Sequence, residues 1–347
     1  MKLDIATVAQ QIQLNCDIAD ASQAGDYTLC IYLLKMREFY RWEKQLGFSD
    51  PLPKKEIGHW LTEKETYWDK LEDQEFQPIQ IGAKQFQPHE FDVINQHLIE
   101  SKFIYSAGHG RHGLTHFFLG ELLKHEKHSN FEIFVSGKEL ARDLTAPAGF
   151  TQGSTIFIRR ESLRRVIWEK IEEWKWKQSN PAINRAMTYY DLTNDLDSAL
   201  EKLTDDELDT VLLHEIGEIE ASQLLGDQWH EMLSVLPRSQ AELMARAVKD
   251  HIADCTSTLP ALIQKEKIES IHFYFGNLQA LRKKLFPSLT QAYSQWLEDN
   301  HLEKVEQTLK NACTHWREVA KEMLNSYQQH GPRCGPYIEK IVQNSVF

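Results

Sequence analysis

Apolar residues recur at helical spacing along most of the chain. Between residues 27 and 47 they fall every three or four positions, and the run ends at Gly47, before Pro51 and Pro53. This pattern predicts one helix over the run and a second at about residues 55–71. From Glu161 almost to the end of the chain the pattern is again helical.

Two short segments interrupt the helical pattern. Residues 131–137 and 154–160 are rich in β-forming residues and predict strands. Residues 104–126 begin with a Gly-rich turn and continue with an apolar pattern that favours a helix. The predicted fold is therefore mainly α, of the α+β class, with a small strand element near residues 130–160. We expect an N-terminal helical region at 1–92 and a mostly helical, candidate metal-binding domain at 93–347.

Composition and charge limit the classes of function. The chain has 347 residues and a formal net charge of −12. This charge argues against nucleic acid and against anionic membranes as partners, because both require a basic face. Five cysteines are scattered without a CxxC pair, which is typical of reduced thiols. With no apparent signal peptide and no long apolar run, the sequence predicts a soluble, cytoplasmic protein.

The segment at residues 203–226 carries the most specific chemistry. Thr204 and Glu207 form a capping-box pattern, which predicts that a helix begins there. His214 and Glu218 are four residues apart, so both side chains project from one face of that helix. Glu215 lies about 100° round the helix from His214. One helix can thus offer two metal ligands and an adjacent carboxylate.

This segment resembles the active-site helix of the zincin metallopeptidases, particularly the gluzincin type. Residues 145–163 resemble the edge strand and loop that precede this helix, and the resemblance covers roughly residues 131–255. The motif departs from HExxH, because the sequence HEIGE has Glu218 in place of the second histidine. In the later sequence HIAD, His251 stands where the family has its glutamate ligand. The two replacements are reciprocal, so a shell of two histidines and one carboxylate is retained.

The resemblance implies a divalent metal held by His214, Glu218 and His251, with zinc as the expected ion and iron as the alternative. Glu215 would be the general base for a metal-bound water, and Asp254 an orienting group or a fourth ligand. The implied reaction is hydrolysis of an amide or related bond in a small molecule or peptide. Two alternatives stay open: a helical non-haem iron oxidoreductase with histidine and carboxylate ligands, and a non-catalytic metal-binding protein.

A second cluster of histidines lies earlier in the chain. His109, His112 and His116 fall within eight residues, together with Arg111 and three glycines. The composition favours a metal or anion site, or histidines that line the pocket of the first site. The alternative is a Gly-rich turn with solvent-facing histidines.

Overall fold

The structure, a computed structural model, describes residues 3–109, 115–236 and 238–347. The chain divides into two compact units, residues 1–168 and 169–347. This division differs from the boundary expected near residue 92. The core of the first unit explains the difference.

The first unit combines helices with a sheet. Its helices are α1 (Ile5–Gln23), α2 (Leu29–Glu43), α3 (Lys54–Trp68) and α4 (Phe91–Leu98). Its strands are β1 (Ile79–Ile81), β2 (Lys84–Phe86), β3 (Phe103–His109), β4 (Thr115–Lys127), β5 (Glu132–Arg142), β6 (Gly149–Gln152) and β7 (Thr155–Arg159). Strands β1 and β2 form a hairpin, and the other five form a sheet of order β3-β4-β5-β7-β6 in which only the β5–β7 pair is parallel.

The N-terminal helix α1 belongs to the core of this sheet. Val8 and Ile12 of α1 are buried in one cluster with Tyr105 of β3 and Phe117 of β4. Strand β7, which ends at Arg159, lies between β5 and β6 in this sheet. Residues 1–92 therefore share their core with residues up to about 160, which is why no boundary lies at residue 92.

The helix expected within residues 104–126 is wrong, because the described residues of this segment belong to β3 and β4. Most of the predicted Gly-rich turn, at residues 110–114, lies outside the described residues. The first six residues of β4, Thr115–Gly120, are all buried. A strand covered on both faces loses the alternation of polar and apolar residues, so its pattern resembles that of a buried helix. The strands predicted at 131–137 and 154–160 are confirmed as parts of β5 and β7.

The second unit is helical. Helix α5 (Arg160–Lys177) contains the division between the units. The helices that follow are α6 (Pro181–Met187), α7 (Leu196–Leu225), α8 (Asp227–Ser234), α9 (Gln240–Ala253), α10 (Leu259–Gln264), α11 (Ile268–Asn277), α12 (Ala280–Leu285), α13 (Pro287–Asp299), α14 (Glu303–His330) and α15 (Gly335–Asn344). A π-helical turn, Asp254–Thr258, joins α9 to α10.

Helix α7 begins earlier than the capping pattern predicts. Its N-cap is Asp195, whose side chain accepts a hydrogen bond from the backbone N–H of Ser198. Thr204 lies inside the helix, and its hydroxyl donates to the carbonyl of Leu200 at 2.6 Å. A Ser/Thr hydroxyl can donate to a carbonyl of the preceding helical turn as readily as it can accept from an N–H at the helix N-terminus. The capping pattern alone therefore did not locate the start of α7.

The fold class agrees with the prediction: the protein is mainly α-helical, with a small five-stranded sheet. Among the described residues, no helix has both the length and the apolar character that a bilayer crossing requires.

Candidate metal centre

The centre is built where α7 crosses α9 in the second unit. The crossing is close because Gly217 of α7 has no side chain: a Cβ at this position would lie 2.6 Å from the carbonyl oxygen of Ala253. The hydroxyl of Ser257 also donates to the carbonyl of Leu213 at 2.7 Å. Glycine thus allows the two backbones to approach, which brings the polar residues flanking Gly217 next to those flanking Ala253.

Three side chains meet beside this crossing. His214 and Glu218 come from α7 and Asp250 from α9, and each offers one ligand atom within 4.8 Å of the other two. All three are partly buried. One imidazole and two carboxylates at this separation are a donor set that a divalent metal ion can bind.

A fourth residue, Asp254, holds His214 in place. Its carboxylate accepts a hydrogen bond from Nδ1 of His214 at 2.8 Å and from the hydroxyl of Tyr274 at 2.6 Å. It also accepts bonds from Thr258 at 2.9 Å and from the guanidinium of Arg282. With Nδ1 bonded to Asp254, Nε2 is the ring nitrogen left for a metal. The π-helical turn begins at Asp254, and such turns recur at functional sites.

The electrostatics of the cluster favour a carboxylate at Asp254 and a proton on His214. Burial alone would raise the pKa of Asp254, but the charges of Arg282 and His214 lower it below its usual range. Burial likewise opposes charge on His214, yet Asp254, through its charge and hydrogen bond, raises the pKa of His214 to about 10. At neutral pH and without a metal, His214 is therefore an imidazolium.

Two cations, Lys249 and Arg282, lie next to the carboxylates of Glu218 and Asp250. Nζ of Lys249 lies 2.7 Å from Oε2 of Glu218, and a guanidinium nitrogen of Arg282 lies 3.8 Å from Oδ2 of Asp250. Burial raises the pKa of Asp250. The charge of Arg282 opposes this shift, and the charge of Glu218 adds to it. A metal entering the cluster would thus replace the proton of His214 and compete with Lys249 for Glu218.

The structure does not bring His251 into this cluster. Its ring is buried and stacks on Trp316, with ring centroids 4.8 Å apart, and it makes a T-shaped contact with the ring of Phe286. Burial, together with the charge of Arg282, lowers the pKa of His251 to about 3, so the ring is neutral. Neighbouring residues on a helix point about 100° apart, so Asp250 and His251 cannot both face α7. Asp250 is the one that faces α7.

Glu215, the predicted general base, lies on α7 and is 8% exposed. Its part in catalysis stays a prediction.

The second histidine cluster falls in the first unit. Arg111 and His112 lie outside the described residues. His109 is the last residue of β3 and pairs with Thr115, so the backbone here is extended and not helical. His116 of β4 is 4% exposed, and its ring packs against Phe150 with centroids 4.5 Å apart. A ligand role for these residues stays a prediction.

Sequence reasoning missed Asp250, Lys249, Tyr274 and Arg282. A signal for Asp250 was available: it stands four residues before Asp254, the same spacing as His214 and Glu218 on the partner helix. Tyr274 and Arg282 come from α11 and α12, and no spacing relates them to α7.

Fold and site together define a mainly helical protein with a histidine–carboxylate cluster in its second unit. Residues 7–159 match the N-terminal domain, and residues 164–345 the C-terminal domain, of a family of unknown function, DUF6866. The chain belongs to this family, and the boundary between the two domains falls next to the end of the sheet. No curated protein and no solved structure matches the chain.

Proposed function

We propose that residues 169–347 form a metal-dependent hydrolase domain in which His214, Glu218 and Asp250 bind a divalent ion. The observation that carries this proposal is the convergence of their ligand atoms to within 4.8 Å of one another. The proposed set keeps two of the ligands predicted from the zincin resemblance and replaces His251 by its neighbour.

The donor set bears on the identity of the metal. The zincin resemblance implied two imidazoles and one carboxylate, whereas the cluster offers one imidazole and two carboxylates. Zinc accepts such ligands, and the second carboxylate shifts the preference toward harder ions such as Mn²⁺ and Fe²⁺. Two carboxylates also balance the charge of a dication once the proton of His214 has left.

Asp254 is not one of the three proposed ligands, but it supports the proposal because it orients the ring of His214. Metal-binding histidines commonly donate their second ring N–H to a carboxylate, which fixes the ring and makes the other nitrogen a better ligand. The 2.8 Å contact between Nδ1 of His214 and Asp254 is of this kind. Tyr274, Thr258 and Arg282 hold Asp254 in turn, so the orientation of the imidazole is determined by a buried network.

Held by His214, Glu218 and Asp250, a divalent metal would supply a Lewis acid and would lower the pKa of a bound water. Glu215, which follows His214 directly on α7, would be the general base of the site. The substrate class proposed from the sequence, a small molecule or peptide with an amide or related bond, is retained.

One observation favours a second candidate, a non-haem iron oxidoreductase. The carboxylates of Glu218, Asp250 and Asp254 surround a single histidine on two packed helices, which resembles the carboxylate-rich iron sites of helical proteins. Metal content separates the two: iron that changes oxidation state with substrate favours the oxidoreductase, and a redox-inert ion favours the hydrolase.

The hydrolase proposal is tested with chromogenic ester, amide and phosphoester substrates on protein loaded with Zn²⁺, Mn²⁺ or Fe²⁺. We expect turnover that chelation abolishes and that Glu215→Gln lowers by about 10²–10⁴-fold while the metal is retained. Glu298→Gln, an exposed glutamate of α13, is the matched control and should keep full activity. Turnover that survives chelation, or metal-loaded protein with no turnover on any substrate class, contradicts the proposal.

A further inference from the structure

A groove of about 610 Å³ opens in the second unit between α7, the π-helical turn and α14. Its volume is in the range of small-molecule sites. Its lining takes Glu220, Ala221 and Leu224 from the part of α7 that follows Glu218, and it includes none of the three proposed metal ligands. The groove is therefore a separate feature that the proposed hydrolase chemistry does not use.

Charged groups of both signs line the groove. Lys310 and Arg317 are two helical turns apart on one face of α14, and Glu220 is the one carboxylate in the lining. Among the described residues, none of these three forms an ion pair. The Nε atom of Arg317 is shielded from solvent and has no hydrogen-bond acceptor there. A buried donor without an acceptor is unfavourable, so an acceptor supplied by a ligand would stabilise Arg317.

The rest of the lining is partly apolar. Ala221 and Ile252 are buried at its base, and Leu224 is 50% exposed at its edge. An aliphatic group lying here would cover Leu224 and remove apolar surface from water. The two cations exceed the single carboxylate by one charge, which suits a monoanion.

We propose that this groove binds a small monoanionic molecule with an aliphatic body. A carboxylate on the ligand would accept hydrogen bonds from Arg317, whose planar guanidinium matches its geometry, with Lys310 adding charge. The aliphatic part would lie along Leu224 and Ile252. Glu220 would disfavour dianions such as phosphate monoesters.

Binding is tested by calorimetry with sodium octanoate as the probe and octanamide as its neutral counterpart. We expect octanoate to bind the wild-type protein and octanamide to bind more weakly. Arg317→Met or Lys310→Met should weaken octanoate binding by about tenfold. Lys304→Met, also exposed on α14 but outside the groove, should have no effect. Absence of octanoate binding, or equal binding by all variants, overturns the proposal.

The position of the ligand is tested through two cysteines. Cys313 is partly exposed and lines the groove, whereas Cys30 is exposed in the first unit and serves as the internal control. Octanoate should slow alkylation of Cys313 by iodoacetamide, measured by peptide mass spectrometry, and leave Cys30 unchanged. Equal rates at Cys313 with and without octanoate contradict binding in the groove. His214→Ala should not alter octanoate binding, so this test is independent of the metal site.

Discussion

The proton on His214 makes metal binding depend on pH. In the metal-free protein the pKa of His214 is raised to about 10, mainly by Asp254 acting against burial. A metal can bind Nε2 only after the proton has left. Below the raised pKa, each pH unit should therefore increase the apparent affinity about tenfold, or ~1.4 kcal/mol. Between pH 6.5 and 8.5 the expected gain is about 100-fold.

The same pKa has an opposite effect on the metal-free fold. A histidine whose pKa is raised on folding contributes stability that is complete below its ordinary pKa of 6.5 and is lost as pH rises through 10. The upper limit of this loss is about 5 kcal/mol, since one unit corresponds to ~1.36 kcal/mol. Metal-free protein should thus lose stability from pH 6.5 to 10, while binding of the metal strengthens.

Isothermal titration calorimetry with Zn²⁺ measures the linkage directly. Titrations in buffers of different ionisation enthalpy count the protons released, and at pH 7.5 we expect about one from His214. A competing chelator extends the affinity measurement across the pH range. His214→Gln is the control: its residual binding should release fewer protons and depend less on pH. Binding by the wild-type protein that releases no proton and is unchanged between pH 6.5 and 8.5 would refute the role assigned to His214.

Three substitutions test the surroundings of the cluster. Lys249→Met should raise metal affinity about tenfold by removing the cation that competes for Glu218, and should lower the melting temperature of the metal-free form; unchanged affinity by calorimetry speaks against competition. Asp254→Asn should weaken metal binding by about 10–100-fold, and wild-type affinity in that variant would contradict its orienting role. Gly217→Ala should cost about 1–3 kcal/mol in chemical denaturation, since its Cβ meets backbone, whereas Gly58→Ala, with open space in α3, should be neutral or stabilising. Equal effects of the two glycine variants would be inconsistent with a close crossing.

The sequence predicted the fold class because long helices with a regular apolar face leave a clear periodic pattern. It also located the helix that carries His214 and Glu218. It did not locate β3 and β4, because Phe117, Phe118 and Leu119 are buried in succession and show no alternation. Nor did it show that α1 and the sheet share a core, since that contact joins residues about one hundred positions apart.

The choice of ligand on α9 depended on geometry that a spacing rule does not contain. Asp250 and His251 are neighbours, and the analogy with a known family favoured the histidine. Which of them faces α7 is decided by the rotation of α9 at the crossing, and Gly217 sets how closely the helices approach. The site follows from contact between two helices, whereas the motif describes only one of them.

Metal content after purification and dialysis against Zn²⁺, Mn²⁺ or Fe²⁺ tests the central claim most directly. The informative comparison is between Asp250→Asn and His251→Phe, because the second keeps a ring that can stack on Trp316. We predict about one metal ion per wild-type chain, the same content in His251→Phe, and a loss in Asp250→Asn. A wild-type protein that retains no metal, or a loss confined to His251→Phe, would contradict the assignment of His214, Glu218 and Asp250 as the ligands.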